Sequence, residues 1–404
     1  MRRRLVLGAL AAVAIGIASS APAQAQGYGE SYVPMTPYLN APIPTSNPQN
    51  AGFYATLEAN FFSQDRTLKN QVIAVRGFYD SGGLITGVPG TLVGSGATAL
   101  QTDSLGKSSW APGYTLTIGW KSDSSDPISI YGKITQIADV TYTAGATFVP
   151  QNFRNSFSLS DSFISAPVFN FPSDYSGPLE DILFDRDPLG APGGNAYGLW
   201  NAAEEMTISY RQRYVTGEIG ARVGLFGTEY SRVYGLAGLR YGWFFERFKW
   251  RTVDRNVDGE ALSFDSATYT NTLSQRMYGP FFGCGHEVYL GKAFAISVDA
   301  SVGGLFAIVK ERIKYKNGDP VFPTQNKRSA NLFRFVPNLN ADVNLHWYPL
   351  EGVQCRVGYN YQSYFNTAAM QQPVTFDFGN LDPKYGTQAY RLVHGVNIGL
   401  GLFF

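Results

Sequence analysis

The chain has 404 residues, of which 15% are aromatic and only 16% charged, against roughly 25% charged in an ordinary globular chain. A formal net charge of +1 with no broad Lys/Arg cluster excludes nucleic acid as a partner, and two cysteines are too few for a disulfide scaffold or a metal cluster. So little charge covers an aqueous surface poorly, whereas an apolar belt edged with aromatic girdles uses both the low charge and the many rings.

The N-terminus comes first. Arg2, Arg3 and Arg4 precede an apolar stretch from Leu5 to Ile17, and small residues end in Ala23-Gln24-Ala25. This pattern predicts a cleaved secretory signal over 1–25, leaving Gln26 first in the mature chain. The alternative, an uncleaved anchor, needs about twenty apolar residues, more than this stretch supplies. No cysteine lies near the cleavage site to carry lipid. Beyond Ile17 no apolar run reaches the length of a membrane helix. Pro34, Pro37, Pro42, Pro44 and Pro48 then remove ladder donors, so 26–50 reads as an extended periplasmic tether.

From 51 onward, segments of period two alternate with turn-rich gaps. Strands are predicted near 51–63, 113–121, 128–144, 204–226, 231–252, 276–290, 293–314, 331–348, 353–366 and 388–404. The last shows the pattern best: Tyr390, Leu392, His394, Val396, Ile398, Leu400 and Leu402 share one face, and Arg391, Gly395, Asn397, Gly399 and Gly401 the other. In 353–366, Val353, Cys355, Val357, Tyr359, Tyr361 and Phe365 alternate with Gln354, Arg356, Asn360, Gln362 and Asn366. A soluble sandwich would also alternate, but its strands cluster near five or six residues, far shorter than these.

The gaps alternate in length. Short ones fall at 122–127, 227–230, 291–292 and 349–352; long ones at 64–112, 145–203, 253–275, 315–330 and 367–387. Tight periplasmic turns and long external loops belong to an outer-membrane barrel. The expected fold is therefore all-β: a closed antiparallel transmembrane barrel of about ten strands over 51–404. Twelve is the alternative count, if Gln71 to Tyr79 and Thr91 to Val93 add a hairpin. A slip of alternation between Gln212 and Val215 reads as a β-bulge.

Three segments resemble the pore-forming outer-membrane barrels related to the Legionella major outer membrane protein, a group with planctomycete relatives. They are the opening strand Gly52-Phe53-Tyr54-Ala55-Thr56-Leu57-Glu58-Ala59, then Gly238-Leu239-Arg240-Tyr241, and the closing strand His394-Gly395-Val396 to Phe404. The resemblance implies a barrel conducting small solutes, and it carries over no catalytic residue. The 145–203 loop has no counterpart in it. An aromatic at Phe404 on an amphipathic closing strand is the feature that barrel-assembly machinery is thought to read in such proteins.

Parity places Glu58, Glu218, Arg222, Arg240, Glu287, Asp299, Glu311, Arg334, Asp342 and Arg356 on the inner face, because a lipid-facing Arg or Lys costs about 2–4 kcal/mol at mid-membrane. Two roles stay open for them: a polar conduit, or ion pairs that fill the barrel and fix its shape. Eight strands leave room only for side chains, and aqueous pores need about sixteen.

A barrel enzyme would need a His near its partners at an external rim. The three histidines instead fall at periplasmic strand ends (His286, His346) or on the lipid-facing parity (His394), so no catalytic residue and no enzyme activity is expected. The acidic run Glu180-Asp181 through Asp185-Arg186-Asp187 lacks the spacing and turn glycine of a calcium loop, so solvated charge is expected, with no metal or cofactor. Gly-x-Gly triplets such as Gly399-Leu400-Gly401 sit inside strands, where they bind no nucleotide.

The expected function is porin-like passage of small solutes or ions across a bacterial outer membrane, with outer-membrane lipid and assembly machinery as partners and a homo-oligomer as one option for assembly. The competing function is a structural or receptor barrel with a filled lumen. Its 145–203 loop, carrying Phe153, Phe157, Phe163, Phe169 and Phe171, would bind a partner or fold inward as a plug. Cys284 and Cys355, on the sixth and ninth strands with two others between them, are predicted to stay unpaired.

Overall fold

The computed structural model describes residues 52–404, apart from 81–82, 84, 123–127, 148–162, 170–179, 182–194, 197, 229, 255–265, 292, 318–324, 351 and 382–386. The expected signal peptide and tether, most of the acidic run and Phe153, Phe157 and Phe171 lie outside the described residues.

Ten long strands close on themselves: β1 (Gly52–Gln64), β2 (Trp110–Lys121), β3 (Ile128–Thr147), β4 (Glu205–Gly227), β5 (Ser231–Val253), β6 (Ser266–Gly291), β7 (Phe294–Asn317), β8 (Gln325–Leu350), β9 (Val353–Ala368) and β10 (Gln388–Phe403). Every neighbour is antiparallel, and β1 pairs with both β10 and β2, so the ring has no free edge. Among the described residues no helix is long and apolar enough to cross a membrane.

The count is ten, not twelve. Val72–Arg76 pairs with Thr98–Gln101 and Ile164–Ser165, and Phe78–Asp80 pairs with Thr91–Val93, in small sheets outside the ring. The bulge also moves. Gln212 faces Val140 while Tyr214 faces Ile137, so the extra residue is in β3, at Ala138 and Asp139, and β4 keeps its parity. A second irregularity in β9 gives Asn366 a φ of 59°, and its Nδ2 donates to the Phe335 carbonyl, so Asn366 does not continue the inward row. Two expected loops are shorter than read: β6 begins at Ser266, and β7 and β8 run to Asn317 and from Gln325.

The outer wall is apolar in its middle. Leu57, Ile118, Ile130, Ile219, Leu239, Phe282, Val302, Val343, Val357 and Ile398 all face outward and are exposed. Above this belt comes an aromatic level that includes Trp243 and Phe245, whose rings are 6.0 Å apart. Higher still the parity of polarity inverts. On β5, Arg247, Lys249 and Arg251 point out while Phe248 and Trp250 are fully buried inside. On β6, Thr268, Thr270 and Thr272 point out while Tyr269 and Leu273 are buried inside.

The interior of that upper part is filled. Trp200 packs edge-on against Trp250 (4.2 Å between centroids) and Phe378 (5.3 Å), and Tyr269 stacks on Phe378 at 5.7 Å. Side-chain amides pin the loop after β9: Gln275 exchanges two 2.8 Å hydrogen bonds with Ala368, Asn271 donates to the Pro373 carbonyl, and Gln71 brackets Val374.

Candidate functional site

Alternation along each strand sends every second side chain into the lumen, and antiparallel register decides which of them meet. Glu58 and Arg356 sit on β1 and β9, both opposite Gly399 of the intervening β10. Because Gly399 has no side chain, the carboxylate and guanidinium meet across it. A Cβ there would lie 2.5 Å from Glu58 Cγ. Asn397 completes the pair by donating to Glu58 Oε2 at 2.9 Å.

On the other side of the lumen Lys133, Glu218 and Arg240 form one row across β3, β4 and β5. Arg240 Nε donates to Glu218 at 2.8 Å, its Nη2 to Ser301 at 2.9 Å, and its Nη1 to Asn338. The guanidinium also lies 4.5 Å over the Phe281 ring. That ring in turn occupies space left by the facing glycines Gly220 and Gly238, since a Cβ on either would come within about 3.0 Å of it. This is the structural content of Gly238-Leu239-Arg240.

Two bridges join strands that are not neighbours. Arg222 on β4 reaches Asp299 on β7 at 3.2 Å, with Tyr234 donating to the same carboxylate, and Lys133 on β3 reaches Asp342 on β8 at 3.7 Å, with Asn360 donating to it. Seven of the residues picked by parity thus form a ladder of pairs in the lower lumen: Glu58, Glu218, Arg222, Arg240, Asp299, Asp342 and Arg356. The Arg222 side chain is 42% exposed, so this end admits water.

Glu287 lies nearer the short-turn end, where Tyr348 OH approaches its Oε1 at 3.4 Å. Arg334 and Glu311 are higher; Arg334 Nη1 donates to the Thr387 carbonyl at 3.4 Å, and Glu311 is buried. Phe404 stands 80% exposed beside the closing strand, its amide donating to the Phe53 carbonyl at 2.8 Å.

The strongest pair escaped the parity argument. Glu246 and Arg391 bind bidentately at 2.6 and 2.8 Å with both side chains at 0% exposure. Tyr210 donates to Glu246 at 2.6 Å, and Arg391 also donates to Thr367 and the Ala368 carbonyl. Glu246 lies three two-residue steps from Arg240, and Arg391 three from Asn397, so counting could have found both. On β5 the pair sits two two-residue steps from Trp250, on the side toward Arg240.

The histidines sit apart. His346 bonds Ser297 at 2.8 Å inside, His286 bonds Ser231 at 2.7 Å, and His394 bonds Tyr359 and meets the Trp110 ring edge-on outside. Among the described residues no three His, Cys, Asp or Glu side chains gather as a metal site, and Cys284 and Cys355 are unpaired.

Just past β1, Asp65 is half-buried where the wall meets the loops, and burial holds its carboxyl above the usual range against the opposing pull of His394, the backbone contact with Leu392 and Arg391. Phe163 is buried edge-on against Phe78, whereas Phe169 is exposed.

No protein-family profile and no curated protein matches the chain. Among solved structures it is similar to the outer membrane protease OmpT of Escherichia coli (TM-score 0.37, 12% identity, 88% of this chain and 97% of that one). It is also similar to a Pseudomonas aeruginosa FadL homologue (0.28, 8%, 89% and 92%) and to the outer membrane channel DcaP of Acinetobacter baumannii (0.15, 10%, 88% and 96%).

Proposed function

We propose that the protein spans a bacterial outer membrane and passes small polar or charged solutes through a lumen gated by its own external loops. The observation that carries this is the two-sided wall: an exposed apolar belt outside, backed at the same height by paired cations and anions inside. Hydrocarbon rewards the first and rejects the second, so the charges turn to the interior, where the Arg222 side chain, 42% exposed, meets water. Passage agrees with the pore-forming family that the strand motifs resemble.

In this reading the lower ladder of pairs is a vestibule offering both signs of charge, and the gate is the Glu246–Arg391 pair with the Trp200 and Phe378 plug above it. A filled structural or receptor barrel is the second reading. What favours it is the complete burial of Glu246 and Arg391.

Planar-bilayer conductance separates the two. Removing residues 370–381, whose Met370, Val374, Phe378 and Leu381 fill the mouth, should raise conductance in steps above the intact protein. A barrel that passes no ions without these loops sinks the pore reading and leaves the filled barrel.

A further inference from the structure

On the outward face above the aromatic level, strands β4 to β8 carry Arg and Lys in successive cross-strand rows. Arg211 stands directly opposite Arg247, and the row continues through Thr272 to Arg312. The next row up runs Ser209, Lys249, Thr270, Lys314, with Lys327 opposite Lys314. Like charges directly opposite destabilise a sheet unless an anion lies between them. Among the described residues the one carboxylate in ion-pair contact with this set is Asp139, which the β3 bulge turns outward to meet Arg211 and Arg213 (2.6 Å). No Arg or Lys has outward parity on β9, β10, β1, β2 or β3, so the basic face covers one side of the wall.

The guanidinium groups are held, not loose. Arg213 and Arg276 lie over Trp243 at 5.4 and 5.9 Å, and Arg247 lies over Phe245 at 5.2 Å. Stacking of this kind orients the planar fork for oxyanions.

Below it an apolar groove of about 530 Å³ runs across β2 to β6, walled by Leu116, Ile118, Ile134, Ile219, Tyr241 and Tyr278. Gly132 and Gly217 make its floor, and neither would bring a Cβ within 3.5 Å of another atom. Gly217 is four residues below Arg213 on β4, about 13 Å along the strand. The basic rows, on β4 to β8, and the groove, on β2 to β6, are separate features that overlap in a stripe of the wall formed by β4, β5 and β6.

We propose that this stripe binds a phosphorylated, multiply acylated glycolipid of the outer leaflet, with its phosphates on the Arg247, Arg276 and Arg312 face and an acyl chain in the groove over Gly132 and Gly217. The rows run from Arg211 on β4 to Lys327 on β8, four strand spacings or about 19 Å, and Arg247 and Arg312 within them stand two spacings, about 10 Å, apart. That width fits a bisphosphorylated disaccharide better than the single phosphate of a phospholipid, and the threonine hydroxyls between the cations suit sugar. The end is also right, since the rows lie at the long-loop mouth. The assignment presupposes the membrane-spanning arrangement.

Native mass spectrometry of the detergent-purified full chain, titrated with bisphosphorylated lipid A, dephosphorylated lipid A or phosphatidylglycerol, tests it. Wild type should retain bisphosphorylated lipid A and neither of the others at equal concentration. The Arg247→Gln, Arg276→Gln, Arg312→Gln triple variant should bind it roughly a hundredfold more weakly. Gly132→Leu, which fills open groove, should weaken it while the barrel keeps its heat-modifiable gel migration. Equal retention of all three lipids by wild type overturns the proposal even if the triple variant does not fold, and so does wild-type affinity in both variants. A chain that stays monodisperse without amphiphile overturns instead the membrane reading beneath it.

Discussion

Below the Trp243 and Phe245 level β4 to β8 are apolar outside and ionic inside; above it the outer rows of these strands carry Arg, Lys and Thr, and the interior is aromatic. The strand geometry is unchanged across that line, since β5 and β6 keep one pairing register from Ser231 to Val253. What changes is the medium on each face. In the membrane-spanning reading, hydrocarbon outside selects Ile219, Leu239 and Phe282, and counter-charges inside permit Arg240 and Asp299. Where water lies outside and loops fill the inside, selection reverses to Arg247 and Lys249 outside against Phe248 and Trp250 inside. In that reading the inversion locates the edge of the membrane more sharply than the length of any strand.

The largest effect expected from breaking this contrast lies just inside the line. Arg391→Met leaves the Glu246 carboxylate buried without a counter-charge, which costs about 3–5 kcal/mol. Urea unfolding in lipid vesicles should show that loss, and Glu246→Gln added to it should recover much of it. If the single variant unfolds like wild type, the interior at this height is wet and the plug is not sealed.

A cation moved across the line measures the line itself. Leu239→Arg, in mid-belt, should cost about 2–4 kcal/mol, whereas Thr143→Arg, outward on β3 at the Ser209 and Lys249 level, should change stability by no more than about 0.5 kcal/mol. The same urea titration compares them. Equal costs would mean that the belt and the upper wall face the same medium.

This inversion also explains what was legible beforehand. Inside the belt the rule of greasy outside and polar inside holds, so ten strands and the inward parity of Glu58, Glu218, Arg240 and Asp299 followed from counting by two. Above the belt the rule runs backwards. Ser266 to Gln275 puts Thr268, Thr270, Thr272 and Ser274 outside and read as a polar loop, although it is the top of β6. Glu246 hid among Phe244, Phe245 and Phe248 for the same reason. The slip that looked like a bulge near Gln212 was real in height and wrong in strand: the extra residue at Ala138 and Asp139 is visible only once β3 is paired with β4. Which loop residues plug the mouth depends on long-range contacts such as Gln71 with Val374, for which local patterning offers no sign.

The smallest expected effect sits on the boundary between wall and plug. Asp65 follows β1 directly; its amide donates to the Leu392 carbonyl at 3.0 Å and its own carbonyl accepts from Gln212 at 3.3 Å. Desolvation raises its carboxyl above the ordinary 3.8, outweighing the attraction of His394 and Arg391 and the Leu392 contact. For an acid with a raised folded value, the stabilising contribution is complete below 3.8 and is lost as pH rises through the folded value. The docked end of β1 should therefore hold slightly better in acid than at neutrality, and Asp65→Asn should flatten that part of the profile by leaving nothing to ionise. The temperature at which the compact gel species is lost, followed from acid to neutral pH in both proteins, reads the difference. Parallel curves would mean that Asp65 is as solvated folded as unfolded, and the seal between β1 and the loops would then be looser than its contacts imply.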